Sequence, residues 1–242
     1  LVSYGTRRRL ATEVFRITSA YDAAIWEYLS GPSKELFPDE VRFRLERVQS
    51  LRYGENPHQA AAFYRFSDSK EHTLARSTQI QGKERSYNNI LDTDACWTAV
   101  REFEQPCCVI VKHMNPCGIA IGENLVDAYV RAYECDPISA YGGVIAFNRA
   151  VTADLVRAIF QNKQFVEVMI APDYDQDALE LLDEKRNLRV LRTGGIRAVA
   201  GHYESRAVEG GMLIQISDGV TEDPSRFRVA TLAQPAEEEM EP

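Results

Sequence analysis

Lys112 and His113 stand side by side directly after an apolar run at 107–111. A histidine side chain titrates near neutral pH, and a lysine that is partly shielded from water has a lowered pKa. Together the two side chains could accept a proton from an amine nucleophile and stabilise the anion that forms during acyl or formyl transfer. Two alternatives stay open on these residues alone: a polar strand end that reaches solvent, and a zinc site that uses the neighbouring cysteines.

The zinc alternative needs three or four ligands that converge in a tetrahedron. A deaminase-type zinc site requires His-x-Glu followed by Pro-Cys-x-x-Cys, but here His202 and Glu204 come after the cysteines. Neither Pro106 nor Pro116 is followed by the second cysteine at that spacing. We therefore predict no metal site and expect buried thiols that act as small apolar side chains. An odd, clustered set of cysteines favours free thiols over disulfides: Cys96, Cys107, Cys108, Cys117 and Cys135.

Two further segments contain residue types that could bind a nucleotide. Arg52 and Tyr53 precede a glycine-containing turn, and an arginine can bind a phosphate through two parallel hydrogen bonds. The stretch Tyr141-Gly142-Gly143 could let backbone N–H groups approach a ligand closely. Each segment could equally be an ordinary turn at a strand end.

The composition is that of a globular protein: 242 residues, of which 45% are hydrophobic and 26% are charged. The formal net charge of −8 argues against nucleic acid as a partner, although it is compatible with a local basic pocket for a phosphate. No apolar run approaches the roughly 18–20 residues of a membrane helix, and the first residues do not form a signal peptide. We therefore expect a cytosolic protein with no membrane partner. The absence of an initiator methionine is compatible with a fragment.

Alternating strands and helices predict an α/β fold in which helices cover a sheet. Helices are predicted at 6–30, 93–104 with Asp92 as its N-cap, 124–134, 151–161 and 175–183. Strands are predicted at 43–50, 60–65, 107–111, 143–147, 165–170, 188–192, 196–200, 210–216 and 228–231. The stretch 66–90 is predicted to be a polar loop, and Asn115-Pro116 is predicted to turn the chain after His113.

Longer segments resemble one family in their order and spacing: LRYGENPHQ (51–59), SYNNILDTDACW (86–97), VIVKHMNPCGIAIG (109–122), DPISAYGGVIAFN (136–148) and FVEVMIAPDYDQDALELL (165–182). They are similar to the bifunctional purine-biosynthesis enzymes that join AICAR transformylase to IMP cyclohydrolase. The resemblance covers nearly the whole chain up to about residue 216.

The resemblance implies a domain organisation. Residues 1–32 would be the last helix of the cyclohydrolase domain and a linker, and residues 33–227 would be the first transformylase lobe. That lobe is a cytidine-deaminase-like α/β fold with a mixed sheet, and it works without zinc. Residues 228–242 would lead into a second lobe that this chain lacks, as it lacks the front of the cyclohydrolase domain. The resemblance also implies a homodimer in the full-length family, with transformylase sites at the dimer interface.

The resemblance further implies a reaction, the transfer of a formyl group from the co-substrate 10-formyltetrahydrofolate to the 5-amino group of AICAR. His113 would accept the proton of the amine and Lys112 would stabilise the transition state. Contacts to AICAR are implied at Arg52, Tyr53, Asn89, Gly142 and, less directly, Glu167. An alternative remains, a catalytically silent fragment or pseudo-enzyme that keeps the fold and its partner binding.

Overall fold

The chain divides into two compact units, Leu1–Arg44 and Leu45–Pro242. The computed structural model describes residues 2–31, 35–196, 203–218 and 228–236. The first unit contains one long helix, α1 (Tyr4–Ser30). Its N-cap is Ser3, whose side chain accepts a hydrogen bond from the Thr6 N–H. This helix confirms the prediction at 6–30. Within the described segments, no helix combines the length and the apolar character needed to cross a membrane.

The second unit alternates strands and helices. Its strands are β1 (Leu45–Leu51), β2 (Ala61–Phe66), β3 (Thr78–Gln81), β4 (Cys107–Lys112), β5 (Asn115–Ile121), β6 (Gly143–Phe147), β7 (Val166–Ala171), β8 (Arg189–Arg192), β9 (Tyr203–Val208) and β10 (Gly211–Ile216). Its helices are α2 (Tyr87–Val100), α3 (Leu125–Cys135), α4 (Ala153–Gln161) and α5 (Gln176–Leu182). Two antiparallel pairs, β1–β2 and β9–β10, stand apart from the main sheet.

The main sheet has six strands in the order β3-β8-β7-β6-β4-β5. Strands β6, β7 and β8 are parallel, whereas β4 runs antiparallel to β6 and β5 runs antiparallel to β4. Helix α4 connects the parallel strands β6 and β7, and helix α5 connects β7 and β8. Such connections are right-handed, and because both proceed in the same direction along the sheet, the two helices lie on the same face. The predicted α/β fold with a mixed sheet, covering helices and a long first helix is confirmed.

Both faces of the central strands are buried. Along β4, Cys108 and Ile110 pack into the core beneath α3, α4 and α5. The alternate residues Cys107, Val109 and Val111 pack into a second core beneath α2. Because successive side chains of a strand point to opposite faces, a register shift of one residue would exchange the two cores, and this alternation holds β4 in place.

The structure corrects three of the predicted elements and adds one that was not predicted. The stretch 66–90 is not a loop throughout, because it contains β3 and the start of α2. Helix α2 begins earlier than predicted and its N-cap is Ser86 rather than Asp92, which lies inside the helix. The stretch 228–231 contains no strand, and β9 was not predicted. Residues 197–200, where another strand was predicted, lie outside the described residues, so that prediction stays untested.

Strand β5 was not predicted, because it begins with Asn115 and Pro116, which were expected to turn the chain. It is the edge strand of the sheet, where a proline costs no ladder hydrogen bond if its nitrogen faces outward. Gly118 is required by packing, since a Cβ atom there would lie 1.9 Å from the Ala132 carbonyl oxygen. The glycine therefore lets α3 approach β5 closely.

We expect Gly118→Val to destabilise the chain by about 2 kcal/mol or more, because the new side chain must push α3 away from the sheet. Urea unfolding measured by circular dichroism checks this. Gly211→Ala is the control, since its Cβ would meet only the Val208 Cγ2 atom at 3.6 Å, and it should change stability by less than about 0.5 kcal/mol. Equal effects of the two substitutions would contradict the packing role of Gly118.

Candidate active site

Four of the predicted site residues lie at one edge of the main sheet, where β4 ends and β6 and β7 begin: Lys112, His113, Gly142 and Glu167. Because β4 is antiparallel to β6, with Val111 opposite Val144, the end of β4 lies beside the start of β6. Strands β7 and β8 are parallel to β6 and begin at the same edge. The edge thus carries the last residue of β4, the turn into β5, the loop before β6 and the first residues of β7.

The Lys112 side chain is oriented by a backbone carbonyl. Its Nζ atom donates a hydrogen bond of 2.8 Å to the Tyr141 carbonyl oxygen. None of the ion pairs between described residues involves Lys112. An ammonium group has three donors, so the hydrogen bond to Tyr141 leaves two of them available for a ligand.

His113 lies in a tight turn, and the prediction that Asn115-Pro116 turns the chain is wrong. Lys112 pairs directly with Asn115, which leaves His113 and Met114 as a two-residue hairpin turn. Their φ angles are 53° and 60°, a conformation that costs a residue with a side chain about 1 kcal/mol. The turn is held from two sides, by the Asn115 side-chain amide on the His113 carbonyl (2.8 Å) and by the Asp92 carboxylate on the Met114 N–H (2.8 Å). The His113 side chain is exposed at this edge.

Gly142 shapes the loop that orients Lys112. Its φ angle is 79°, a backbone conformation that glycine adopts without strain. Its N–H donates a hydrogen bond of 2.7 Å to the Phe165 carbonyl, and the neighbouring Tyr141 ring contacts the Phe165 ring at 5.5 Å between centroids. Gly142 therefore fixes the direction of the Tyr141 carbonyl that Lys112 uses.

Glu167 lies on β7 at the same edge, but its carboxylate is engaged within the chain. It accepts a hydrogen bond of 2.6 Å from Arg189 Nη1, and the exposed fractions of the two side chains are 13% for Arg189 and 34% for Glu167. Arg189 also donates to the Glu84 carbonyl at 2.9 Å. The sequence patterns did not identify Arg189. Its ion pair leaves only the remaining lone pairs of the Glu167 carboxylate for contacts with a ligand.

Asn89 supports the start of α2. Its N–H donates to the Ser86 hydroxyl at 3.1 Å, and its side-chain oxygen accepts the Ser86 N–H at 3.1 Å. This reciprocal pair is a capping box. Asn89 and Asp92 are three residues apart and share a helix face, so Asn89 lies one turn from the residue that contacts Met114.

Arg52 and Tyr53 lie on the loop after β1, away from the Lys112 contacts. The loop is closed by the Gly54 N–H on the Gln59 carbonyl at 2.7 Å, and the Arg52 guanidinium stands 5.9 Å from the centre of the Tyr53 ring. Strand β1 reaches the start of α2 through Gln49, whose side chain donates to the Arg85 carbonyl at 3.1 Å. No hydrogen bond or ion pair between described residues joins Arg52 or Tyr53 to Lys112 or His113.

Arg85 is a buried cation that the sequence patterns did not identify. It is 7% exposed, and its Nε and Nη1 atoms have no hydrogen-bond partner among the described residues. Its guanidinium stands 5.6 Å from the centre of the Phe63 ring, and burial lowers its pKa. Arg85 directly precedes Ser86, the N-cap of α2, and therefore places a cation at the start of that helix.

The described residues include five free cysteines. Within the described ranges, no group of three or more His, Cys, Asp and Glu side chains could hold a metal ion, and His202 lies outside them. Cys96, Cys107 and Cys108 are fully buried in the two cores. Burial raises the pKa of the Cys107 thiol to about 12, so this thiol is protonated at neutral pH and behaves as a small apolar group.

Comparison with known proteins identifies the family. The family model described as "AICARFT/IMPCHase bienzyme" matches residues 1–242. The chain is 47% identical over 238 residues to the bifunctional purine biosynthesis protein PurH of Listeria monocytogenes serotype 4a, covering 98% of this chain and 46% of that protein. The same protein of Listeria welshimeri is 46% identical over 238 residues, with the same coverage of both chains. The chain thus spans about half the length of the curated relatives that it matches, and it belongs to the AICARFT/IMPCHase bienzyme family.

Proposed function

We propose that this chain provides the amine-activating part of a site that transfers a formyl group from 10-formyltetrahydrofolate to AICAR in purine biosynthesis. The observation that carries the proposal is the placement of Lys112 and His113. The ammonium group is held by the Tyr141 carbonyl and forms no ion pair with a described carboxylate. The imidazole is presented on a tight exposed turn next to it. A base and a cation at one sheet edge suit the attack of a weakly basic amine on a formyl group.

The proposed roles follow the charges that develop during transfer. The 5-amino nitrogen of AICAR attacks the formyl carbon, and His113 accepts the proton that this nitrogen loses. The formyl oxygen gains negative charge, and the Lys112 ammonium stabilises it. The bond between the formyl carbon and N10 of the folate then breaks, and N10 gains a proton to give tetrahydrofolate and formyl-AICAR.

The proposed substrate contacts have unequal support. Arg52 and Tyr53 are an exposed cation and an adjacent ring, which suits a nucleotide phosphate. Gly142 acts through the Tyr141 carbonyl, and Asn89 acts through the start of α2, whose N-terminus favours negative charge. Glu167 is the weakest candidate because Arg189 already binds its carboxylate.

The proposal extends to the part of the relatives' length that this chain does not match. A chain of about half their length need not contain a whole site. We propose that a second lobe completes the folate side and that the complete protein acts as a homodimer in the cytosol. Ring closure of formyl-AICAR to IMP is the second activity of the complete protein under this proposal. None of the residues that the resemblance assigns to it falls in this chain.

The direct test compares two proteins. One is this chain alone, and the other is a chimaera in which this chain replaces the matching 238 residues of the Listeria monocytogenes relative. We expect the chimaera to convert AICAR and 10-formyltetrahydrofolate to formyl-AICAR, and the isolated chain to show less than about 1% of that rate because its site is incomplete. A folded chimaera without transfer activity would support the silent-fragment alternative, and full activity of the isolated chain would show that the site is complete.

In the active chimaera, we expect His113→Ala to lower kcat by about 100-fold to 10,000-fold, the usual contribution of a general base. Steady-state kinetics with saturating AICAR measure it. Met114→Ala is the control, since it changes the other side chain of the same turn and leaves the imidazole in place. A kcat within fivefold of the unsubstituted chimaera would exclude His113 as the base.

We expect Arg52→Ala to weaken AICAR binding by roughly tenfold or more, because one charge-assisted phosphate contact contributes about 1.4 kcal/mol or more. The value of kcat should change by less than about threefold, since the phosphate contact is equally strong in the ground and transition states. Isothermal titration calorimetry and kinetics separate the two effects. Arg157→Ala on α4 removes an exposed arginine that pairs with Asp154 and should leave AICAR affinity unchanged, and an equal loss in both variants would argue against a specific contact at Arg52.

A further inference from the structure

The turn that presents His113 needs support from outside the hairpin. Both of its residues have positive φ angles, and neither is the glycine that such two-residue turns prefer. In a hairpin turn of this kind the ladder hydrogen bonds are made by the flanking pair, here Lys112 and Asn115. The N–H of the second turn residue, Met114, has no partner in the ladder.

Asp92 supplies that partner from a different element. Its Oδ1 atom accepts the Met114 N–H at 2.8 Å, and it lies inside α2, twenty-two residues earlier in the chain. Aspartate is a poor helix former in the middle of a helix, so the position is occupied at some cost to helix propensity. The contact joins the second core, beneath α2, to the turn that carries the candidate base.

The contact with Met114 places the Asp92 carboxylate at the turn itself, because Met114 is the residue next to His113. The charges of Asp92 and Lys112 also act on one thiol of β5. Burial raises the pKa of Cys117, the Asp136 charge raises it further, Lys112 lowers it and Asp92 raises it.

We propose that Asp92 is a positioning residue for the amine-activating pair, holding the β4–β5 turn at Met114 so that the His113 imidazole and the Lys112 ammonium stay aligned. This inference rests on the proposed function. Asp92 touches neither the substrate nor the reacting atoms in this role, and acts through the backbone of the turn. A displacement of the base by about 1 Å can lower a catalysed rate by roughly 100-fold.

The test uses three variants of the chimaera. Asp92→Ala removes the acceptor, Asp92→Asn keeps an acceptor oxygen without the charge, and Asp127→Ala removes a carboxylate that accepts a backbone N–H (Glu123, 3.1 Å) at the opposite end of β5. We expect Asp92→Ala to lower kcat for formyl transfer by about 10-fold to 100-fold with KM for AICAR changed by less than threefold. Asp92→Asn should stay within fivefold of the unsubstituted kcat, and Asp127→Ala should leave it unchanged.

A second measurement uses the isolated chain and needs no activity. In a ¹H–¹⁵N spectrum, the Met114 amide proton should lie downfield, as expected for a hydrogen bond to a carboxylate, and should move upfield in Asp92→Ala. Asp127→Ala should not move it.

Each outcome decides between the two proposals. An unsubstituted chimaera without activity defeats the proposed function, and the Met114 resonance then decides alone whether Asp92 holds the turn. If the chimaera is active and Asp92→Ala keeps a kcat within twofold, the positioning role is wrong. Equal losses in Asp92→Ala and Asp92→Asn would also overturn it, because the charge and not the hydrogen bond would then matter.

Discussion

The burial of β4 on both faces is the constraint on which the site depends. Five consecutive residues, 107–111, are at most 2% exposed and are shared between two cores on opposite faces. Such a strand cannot slide, because a shift of one residue would exchange the residues of the two cores. Lys112 and His113 are the next two residues, so the packing of the strand sets where the ammonium and the imidazole emerge.

Polar contacts at the sheet edge then orient the Lys112 side chain and the turn that carries His113. Lys112 depends on the Tyr141 carbonyl. The direction of that carbonyl depends on the positive φ of Gly142 and on the hydrogen bond from the Gly142 N–H to Phe165, the residue directly before β7. His113 depends on a turn whose unfavourable backbone is held by Asp92 from α2. The two candidate catalytic groups are thus adjacent in sequence, yet they are oriented by different elements, the loop before β6 and helix α2.

Sequence patterns predicted the elements whose apolar periodicity decides their structure. The buried strands β4 and β6, and the amphipathic helices α3 and α4, were located to within two residues, because burial leaves the clearest pattern. Strand β5 was missed because Pro116 and Gly118 usually end strands. Only its place at the sheet edge and the close approach of α3 explain these two residues. The N-cap of α2 was misplaced because Ser86 is surrounded by polar residues, which concealed the capping box.

Sequence patterns identified residues of the candidate site but not the contacts that orient them. The pair at 112 and 113 was identified by residue type and by its position after a buried strand, and the family resemblance added roles to it. The supports of the pair were not identified, because the contacts of Asp92 and of the Tyr141 carbonyl depend on tertiary structure. A helix residue at 92 and a turn residue at 114 have no relation that a sequence pattern can show.

The charge distribution explains how an acidic chain can bind an anionic ligand. The net charge of −8 is spread over the surface, where water and salt screen it within about 10 Å. Arg85 is buried and has no carboxylate partner among the residues that the structure describes, and Lys112 is held by a carbonyl, a neutral group. A cation that forms no ion pair within its own chain can attract an anionic ligand, whereas Arg189 already forms an ion pair with Glu167. The local pairing of each cation, and not the net charge, therefore decides where a phosphate or a developing oxyanion can bind, and this selects the edge at Lys112 over the paired charges on β7 and β8.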